Sequence, residues 1–275
     1  MNSNAVQLPN KEQVRLMENN DYFAHDTHKY MYCTDGIYSE FIFSLIKKTI
    51  PVDFKKYQHA FEMGAGMGRF SFALVNNFPR VSLVEPSASY TAVLRELFNQ
   101  ERVTIVTSTL EEFFEKNSIP DQSIFFNFHL LHHLTFEQRR DYFSCLRKAN
   151  APALFIEPNP FNPLIILQLL LYPDMRMKDE WQYLTLTRKR LAREFTACGL
   201  ELAAHKTLCF LPPPLTKLAL KQSFLKKPLL TLDAISAVLP FLSSYHLFYC
   251  KSASAVQPGD AVTAGSGISA SACAH

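Results

Sequence analysis

The sequence predicts an α/β fold, a mostly parallel sheet doubly wound with helices on both faces. Three observations carry this. Short apolar strands alternate with helical segments along the first 160 residues. One tight glycine loop joins the first strand to the helix after it. Acids close the first two strands, Glu62 and Glu85, where a parallel sheet gathers its ligand-facing ends. The glycines stand out because they are so few. Only five precede the last 24 residues, and three of these lie in Glu62-Met63-Gly64-Ala65-Gly66-Met67-Gly68. Glycine serves where a side chain would collide or where φ must be positive, so this loop is where a ligand is expected.

The elements follow in order. Residues 1–57 read as a helical lead-in and lid. The first strand is His59-Ala60-Phe61 with Glu62 at its end, and the glycine loop opens into an apolar segment, Phe70 to Val75. Arg80 to Glu85 is the second strand, followed by a helix from Ala88 to Asn99. Val103 to Val106 is a β-branched run, and the Ser/Thr-rich Thr107 to Glu112 after it reads as a helix start. Ser123 to Phe128 is the fourth strand, leading through His129 to Leu134 into a helix over Phe136 to Lys148. Pro152 to Asn159 gives the fifth strand, so residues 58–160 form a cofactor-binding half. Residues 161–251 hold a helical insert, a helix ending near Gly199, a strand over Leu200 to Phe210, more helix to about Val238, and a closing strand at Tyr245 to Tyr249. Residues 252–275, rich in Ala, Ser and Gly, read as a disordered tail.

The loop discriminates between ligands. A dinucleotide fingerprint, Gly-x-Gly-x-x-Gly/Ala, would need a small residue where Arg69 stands. A phosphate loop would end in Gly-Lys-Ser/Thr, which is missing. The carboxylate of Glu62 repels a pyrophosphate and suits a cationic amino group. Glu85, 21 residues after Gly64, sits where an acid accepts hydrogen bonds from ribose hydroxyls.

The acidic-x-Gly-x-Gly-x-Gly spacing, with the neighbouring strands, resembles the class I S-adenosylmethionine (SAM) methyltransferases over roughly residues 58–160. Leu131 to Leu134 resembles the segment that follows the fourth strand in the small-molecule branch. The resemblance implies a Rossmann-like, mostly parallel seven-stranded sheet with an antiparallel last strand and a helical lid. It also implies the cofactor SAM. Glu62, Gly64, Ala65, Gly66 and Gly68 would face its methionine part, and Glu85 with Pro86 the ribose. Thr109 and Leu110 would lie beside the adenine, and Asn127 and Phe128 near the methyl group. Two departures stand out: the family commonly has Asp at the positions of Thr109 and Ser123.

For catalysis, His129, His132 and Glu157 are the base candidates, since a neutral histidine takes a proton from an acceptor hydroxyl near pH 7. A polar cap at the strand–helix junction explains the histidines equally well. No Glu accompanies His129 and His133 as in a zinc motif, so no metal is expected. In the lead-in, Tyr22, Tyr30 and Tyr32 either contact the cofactor or pack the lid.

Composition limits the alternatives. Apolar content of 48% supplies a core, and a net charge of +3 gives no basis for nucleic-acid binding. Six cysteines without regular spacing, and no apolar leader, suggest a reduced cytoplasmic setting. Pro163 to Pro173 is too short to span a bilayer, and Pro228 to Cys250 is interrupted by Asp233, Pro240 and His246. A weak peripheral membrane contact through these stretches is compatible with their composition. The expected activity is methyl transfer to a small apolar or aromatic acceptor, with O-methylation favoured; the sequence leaves the oligomeric state open. Two other readings stand beside it: an inactive SAM-binding regulatory or partner protein, and a nicotinamide-dependent oxidoreductase, against which Arg69 argues.

Overall fold

The computed structural model describes residues 36–164, 166–167, 186–211 and 213–253. Its strands are β1 His59–Met63, β2 Arg80–Glu85, β3 Val103–Thr107, β4 Ser123–Phe128, β5 Ala153–Pro158, β6 Leu200–Leu208 and β7 Tyr245–Ser252. They form one sheet in the order β3-β2-β1-β4-β5-β7-β6. The pairs from β3 to β5 are parallel, and β7 runs antiparallel to both β5 and β6. This is the Rossmann-like sheet expected from the sequence.

The residue patterns explain the strand positions. β4 is buried along its whole length, as an inner parallel strand covered on both faces must be. The edge strands β3 and β6 alternate with partly exposed residues. The helices are α1 Ile37–Thr49, α2 Ser71–Asn77, α3 Ala88–Leu97, α4 Leu110–Lys116, α5 Phe136–Ala149, α6 Arg188–Ala197, α7 Pro213–Leu220, α8 Lys226–Leu232 and α9 Ile235–Val238. Ser87, Thr109, Thr135 and Thr187 each cap a helix by accepting a backbone N–H. Thr135 and Gln138 form a full capping box at the start of α5.

Two cores result, one on each face. Helices α1, α2, α3, α7 and α8 pack on one side around Phe43, Phe78 and Phe126. Helices α4, α5 and α6 pack on the other around Phe125, Phe143, Phe155 and Phe195. Among the described residues fifteen phenylalanines are buried, so the abundance of this residue reflects core packing. Tyr22, Tyr30, Tyr32, most of the helical insert and the tail lie outside the described residues. Among the described residues no helix is long and apolar enough to cross a membrane.

The strand order reverses between β1 and β4, and an α/β sheet opens its ligand crevice at such a point. One buried ion pair holds the chain beside it. Arg139 of α5 makes a fork to Glu194 of α6, with Nε to Oε2 at 2.7 Å and a second guanidinium nitrogen to Oε1 at 3.0 Å. Its remaining nitrogen donates to the Leu134 carbonyl at 2.7 Å, so the same side chain fixes the segment after β4. Removing one partner of such a pair strands the other charge in the core. Arg190 stays on Glu194 at 2.9 Å and offsets part of that cost. Arg139→Met should therefore destabilise the protein by about 3 kcal/mol in urea unfolding, and Arg139→Met with Glu194→Leu should recover most of the loss. Equal losses in the single and double variants would remove the ion pair from this account.

Candidate active site

The crevice is built from the ends of β1, β2, β3 and β4. Gly64 and Ala65 donate their N–H groups to the Val84 carbonyl at 2.8 and 3.0 Å, which folds the glycine loop across the end of β2. Gly66 follows at φ 55°, and its N–H donates to Glu85 Oε2 at 2.9 Å. A Cβ built on Gly66 meets no atom within 4 Å, so that space belongs to the crevice. Gly68 differs. A Cβ there would lie 2.7 Å from Phe98, so this glycine lets the loop pack on the end of α3 and is not among the crevice-lining residues. Glu62, Gly64, Ala65, Gly66, Glu85, Pro86, Thr109, Leu110 and Phe128 all line the crevice, as expected.

The two strand-end carboxyls are held differently. Glu85 accepts N–H groups from Gly66 and from Ser87, the latter at 3.0 Å. Burial pushes its pKa up, and these two bonds oppose the shift. Glu62 is buried with one short contact, the Ser71 hydroxyl donating at 2.6 Å. Burial therefore pushes its pKa up to about 8, with the Ser71 bond opposing and Glu85 adding to the rise. At pH 7 the Glu62 carboxyl is mostly protonated, and a cation entering the crevice is what would ionise it.

Thr109 caps α4 through its hydroxyl, which accepts from the Glu112 N–H at 3.3 Å. Ser123 donates to the Pro120 carbonyl at 2.6 Å. Both departures from the methyltransferase pattern thus have local structural uses.

Beyond β4 the chain turns sharply. His129 has φ 56°, an unusual conformation for a residue with a side chain. Its N–H donates to the Ile156 carbonyl at 2.8 Å. The next residues are pinned by Glu157, which accepts from the Leu131 N–H at 2.7 Å and contacts His132 Nδ1 at 2.7 Å. His132 and Glu157 thus face each other and are not among the crevice-lining residues. Sequence reasoning offered them as bases; the structure makes them braces for the turn that presents His129. Asn127 is not among the crevice-lining residues. Its side chain donates to the Leu154 carbonyl at 2.9 Å and accepts from the hydroxyl of Tyr142, which does line the crevice.

His129 itself lines the crevice, and its Nε2 is buried without a hydrogen-bond partner among the described residues. Burial, then the nearby Arg69 guanidinium, hold its pKa well below the ordinary histidine range. Phe70 and Tyr245 flank the ring, at centroid distances of 5.5 and 5.0 Å.

Arg69 was read in the sequence only as evidence against a dinucleotide. In the structure it lines the crevice, with its guanidinium 5.1 Å from the Tyr38 ring centre and 5.0 Å from that of Phe70. Behind it, the Tyr38 and Tyr245 hydroxyls are 2.7 Å apart, and burial pushes Tyr245 up to about 12. A basic residue directly after the third glycine was the signal. Tyr90, Ser108, Phe114 and Tyr142 also line the crevice and carried no such signal, because helical spacing alone gives no sign that a tyrosine or phenylalanine meets a ligand. Among the described residues no group of three or more His, Cys, Asp or Glu is placed to hold a metal ion.

No protein-family model matches the sequence, and no curated protein does. Solved structures do match. A SAM-dependent methyltransferase from Archaeoglobus fulgidus aligns with a TM-score of 0.52 at 12% identity, over 78% of this chain and 94% of that one. The plantazolicin methyltransferase BamL, solved with a triazolic desmethylPZN analog and SAH, gives 0.54 at 11% identity, over 87% and 96%. This chain has the class I methyltransferase fold. In that fold the crevice at the reversal of strand order, with its glycine loop and strand-end acids, is the feature to test.

The raised pKa of Glu62 has a consequence for stability. In the unfolded chain a glutamate ionises near pH 4.3, and here it does so near 8. Stability from this group is complete below pH 4.3 and is lost progressively as the pH rises towards 8. Glu62→Gln keeps the shape without the charge. It should raise Tm over wild type by about 4 °C or more at pH 8, with the gain shrinking towards pH 5. A gain independent of pH in thermal melts would show that Glu62 ionises normally.

Proposed function

We propose that this protein is a SAM-dependent methyltransferase acting on a small apolar or aromatic acceptor, with transfer to oxygen favoured. The observation that carries this reading is the crevice itself, where the buried carboxyl of Glu62 at the end of β1 lies with an open glycine cradle at Gly66. The ammonium of SAM is a cation. Glu62 would hold it, and Glu85 would accept from the ribose hydroxyls while keeping the Gly66 N–H. Pro86, Leu110 and Leu130 offer apolar surface to the adenine. The SAH in the BamL structure, a protein of the same fold, supports the choice of ligand.

When bound, SAM supplies an electrophilic methyl group on a sulfonium. The residues of this chain position and deprotonate the acceptor. Phe70 and Phe128, stacked at 4.4 Å, offer an apolar wall beside the glycine loop. His129 takes the acceptor proton at Nε2, the nitrogen with no hydrogen-bond partner among the described residues. Arg69 favours the ionised acceptor by its charge. Holding the acceptor in line at about 3–3.5 Å from the methyl supplies much of the rate.

Binding is testable directly. Purified protein should bind SAM and S-adenosylhomocysteine (SAH) at micromolar strength and NAD negligibly. Because Glu62 must ionise on binding, calorimetry at pH 7 in two buffers should show uptake by buffer of up to about one proton, and affinity should weaken by up to about tenfold per unit from pH 8 to 6. Gly66→Val should stay folded, at a backbone cost of about 1–2 kcal/mol, and lose SAH binding. A folded Gly66→Val protein with normal binding would place the ligand elsewhere, and preference for NAD would end the methyltransferase reading.

Catalysis is testable through His129. His129→Ala should lower turnover roughly 10²–10⁴-fold with SAH affinity near wild type. The base works only when neutral, so activity falls as pH drops through its pKa. That pKa is held well below the ordinary histidine value, so the rate should stay flat as pH falls through 6.5 and decline only at lower pH. Near-normal turnover of His129→Ala would leave catalysis to positioning alone.

A further inference from the structure

The residues from 202 to 252 carry six lysines and one acid, Asp233. This stretch thus holds +5 of charge in a chain whose whole net charge is +3, and the remainder is slightly acidic. The single acid is occupied, since Asp233 accepts from the Cys209 N–H at 2.6 Å. Lys206, Lys221 and Lys227 are exposed.

The same stretch presents large apolar side chains to solvent. Leu218 of α7 is 64% exposed, Phe224 between α7 and α8 is 72% exposed, and Val238 at the end of α9 is 76% exposed. Phe241, in the turn that follows, is half exposed. Isolated exposed leucines are ordinary; a basic segment with several apolar residues turned outward is not.

The surface extends to the ligand end of the sheet. Asn159 donates to the carbonyls of Pro240 and Ser243, each at 2.8 Å, and Asn162 to that of Leu242 at 2.9 Å. These bonds fix the exit from β5, with its exposed Phe161 and Leu164, beside the turn that carries Phe241. Two stretches about 80 residues apart in the chain are thereby joined, and the exposed Lys221 and Lys227 flank the exposed Phe224 in sequence.

We infer that this face docks on the surface of an anionic phospholipid bilayer, with Phe161, Phe224, Val238 and Phe241 entering the interfacial region and the lysines meeting the headgroups. Charge complementarity selects this occupant. A basic segment with apolar side chains turned outward suits a negatively charged, partly apolar surface better than a second copy of itself, which would repel it. Docked in this way, the ligand end of the sheet faces the bilayer, where an apolar acceptor would be dissolved.

The test is sedimentation of the full-length protein with vesicles of phosphatidylcholine alone or with 30% phosphatidylserine. Binding should be at least about tenfold stronger to the anionic vesicles and should fall steeply as salt is raised from 0.05 to 0.5 M. Phe224→Glu with Val238→Glu should abolish it, and Lys221→Glu with Lys227→Glu should weaken it about tenfold or more, with thermal melts like wild type in both cases. Absence of binding to anionic vesicles, or equal binding to both kinds, would overturn the proposal. So would a concentration-dependent dimer in sedimentation velocity that the Phe224/Val238 variant dissolves, because the face would then belong to a second copy. A monomer that ignores vesicles would leave the face to another part of this chain, such as residues 1–35, and would equally reject it.

Discussion

The candidate site depends on one constraint: a parallel sheet brings the ends of its strands to one edge, and here three of those ends carry buried carboxyls. Glu62, Glu85 and Glu157 lie at the last or next-to-last positions of β1, β2 and β5, and all three are buried. What separates them is how many donors each receives. Glu157 receives the Leu131 N–H and His132. Glu85 receives the N–H groups of Gly66 and Ser87. Glu62 makes its one short contact with a serine hydroxyl. A buried carboxylate without enough donors gives up its charge by taking a proton, which is why the pKa of Glu62 rises to about 8. Strand-end carboxyls thus become a brace at Glu157, a loop clamp at Glu85 and, in the proposed reading, a cation receptor at Glu62.

The turn after β4 depends on the brace. His129 sits at positive φ, a conformation that costs free energy and persists only where the surroundings impose it. Its neighbours do so from both sides. The Ile156 carbonyl takes the His129 N–H, Glu157 takes the Leu131 N–H, and Arg139 takes the Leu134 carbonyl. Arg139 is in turn fixed by Glu194 on α6. The geometry of one crevice histidine therefore rests on an ion pair between two helices of the opposite core layer, and the strain stored at the turn is carried by the fold as a whole.

These relations mark what the sequence could convey. The seven strands were legible because inner parallel strands are short apolar runs, and four of the helices between them announce themselves with a Ser or Thr cap. The glycine loop was legible because the chain is so sparing with glycine elsewhere. Its three glycines looked alike, yet only the structure separates Gly66, which opens space to the crevice, from Gly68, which packs on Phe98. Likewise, alternation along a strand gives two faces but not which face meets a ligand. Asn127 and Phe128 are adjacent, yet Phe128 lines the crevice while Asn127 does not and instead bonds Leu154 and Tyr142. His132 and Glu157, 25 residues apart, gave no sign that each satisfies the other. Pairings between distant polar groups are set by tertiary register, which a single sequence does not display.

Arg69 ties the electrostatics of the proposed reaction together. Arg69 lines the crevice, its guanidinium lies over two aromatic rings, and it helps hold the pKa of His129 down. Taken alone this makes the histidine a weaker base, which slows proton abstraction. The same cation acts on the acceptor, favouring the oxyanion left when the hydroxyl proton departs. The two effects oppose each other in the rate, because one charge lowers the proton affinity of both donor and recipient. The balance favours transfer when the acceptor lies closer to the guanidinium than His129 Nε2 does. It also favours an acceptor that is already acidic, a phenol over an alkyl alcohol, since the base then needs little strength of its own. In the proposed reaction, a neutral histidine and a fixed cation in one crevice would thus suit an aromatic hydroxyl better than an aliphatic one.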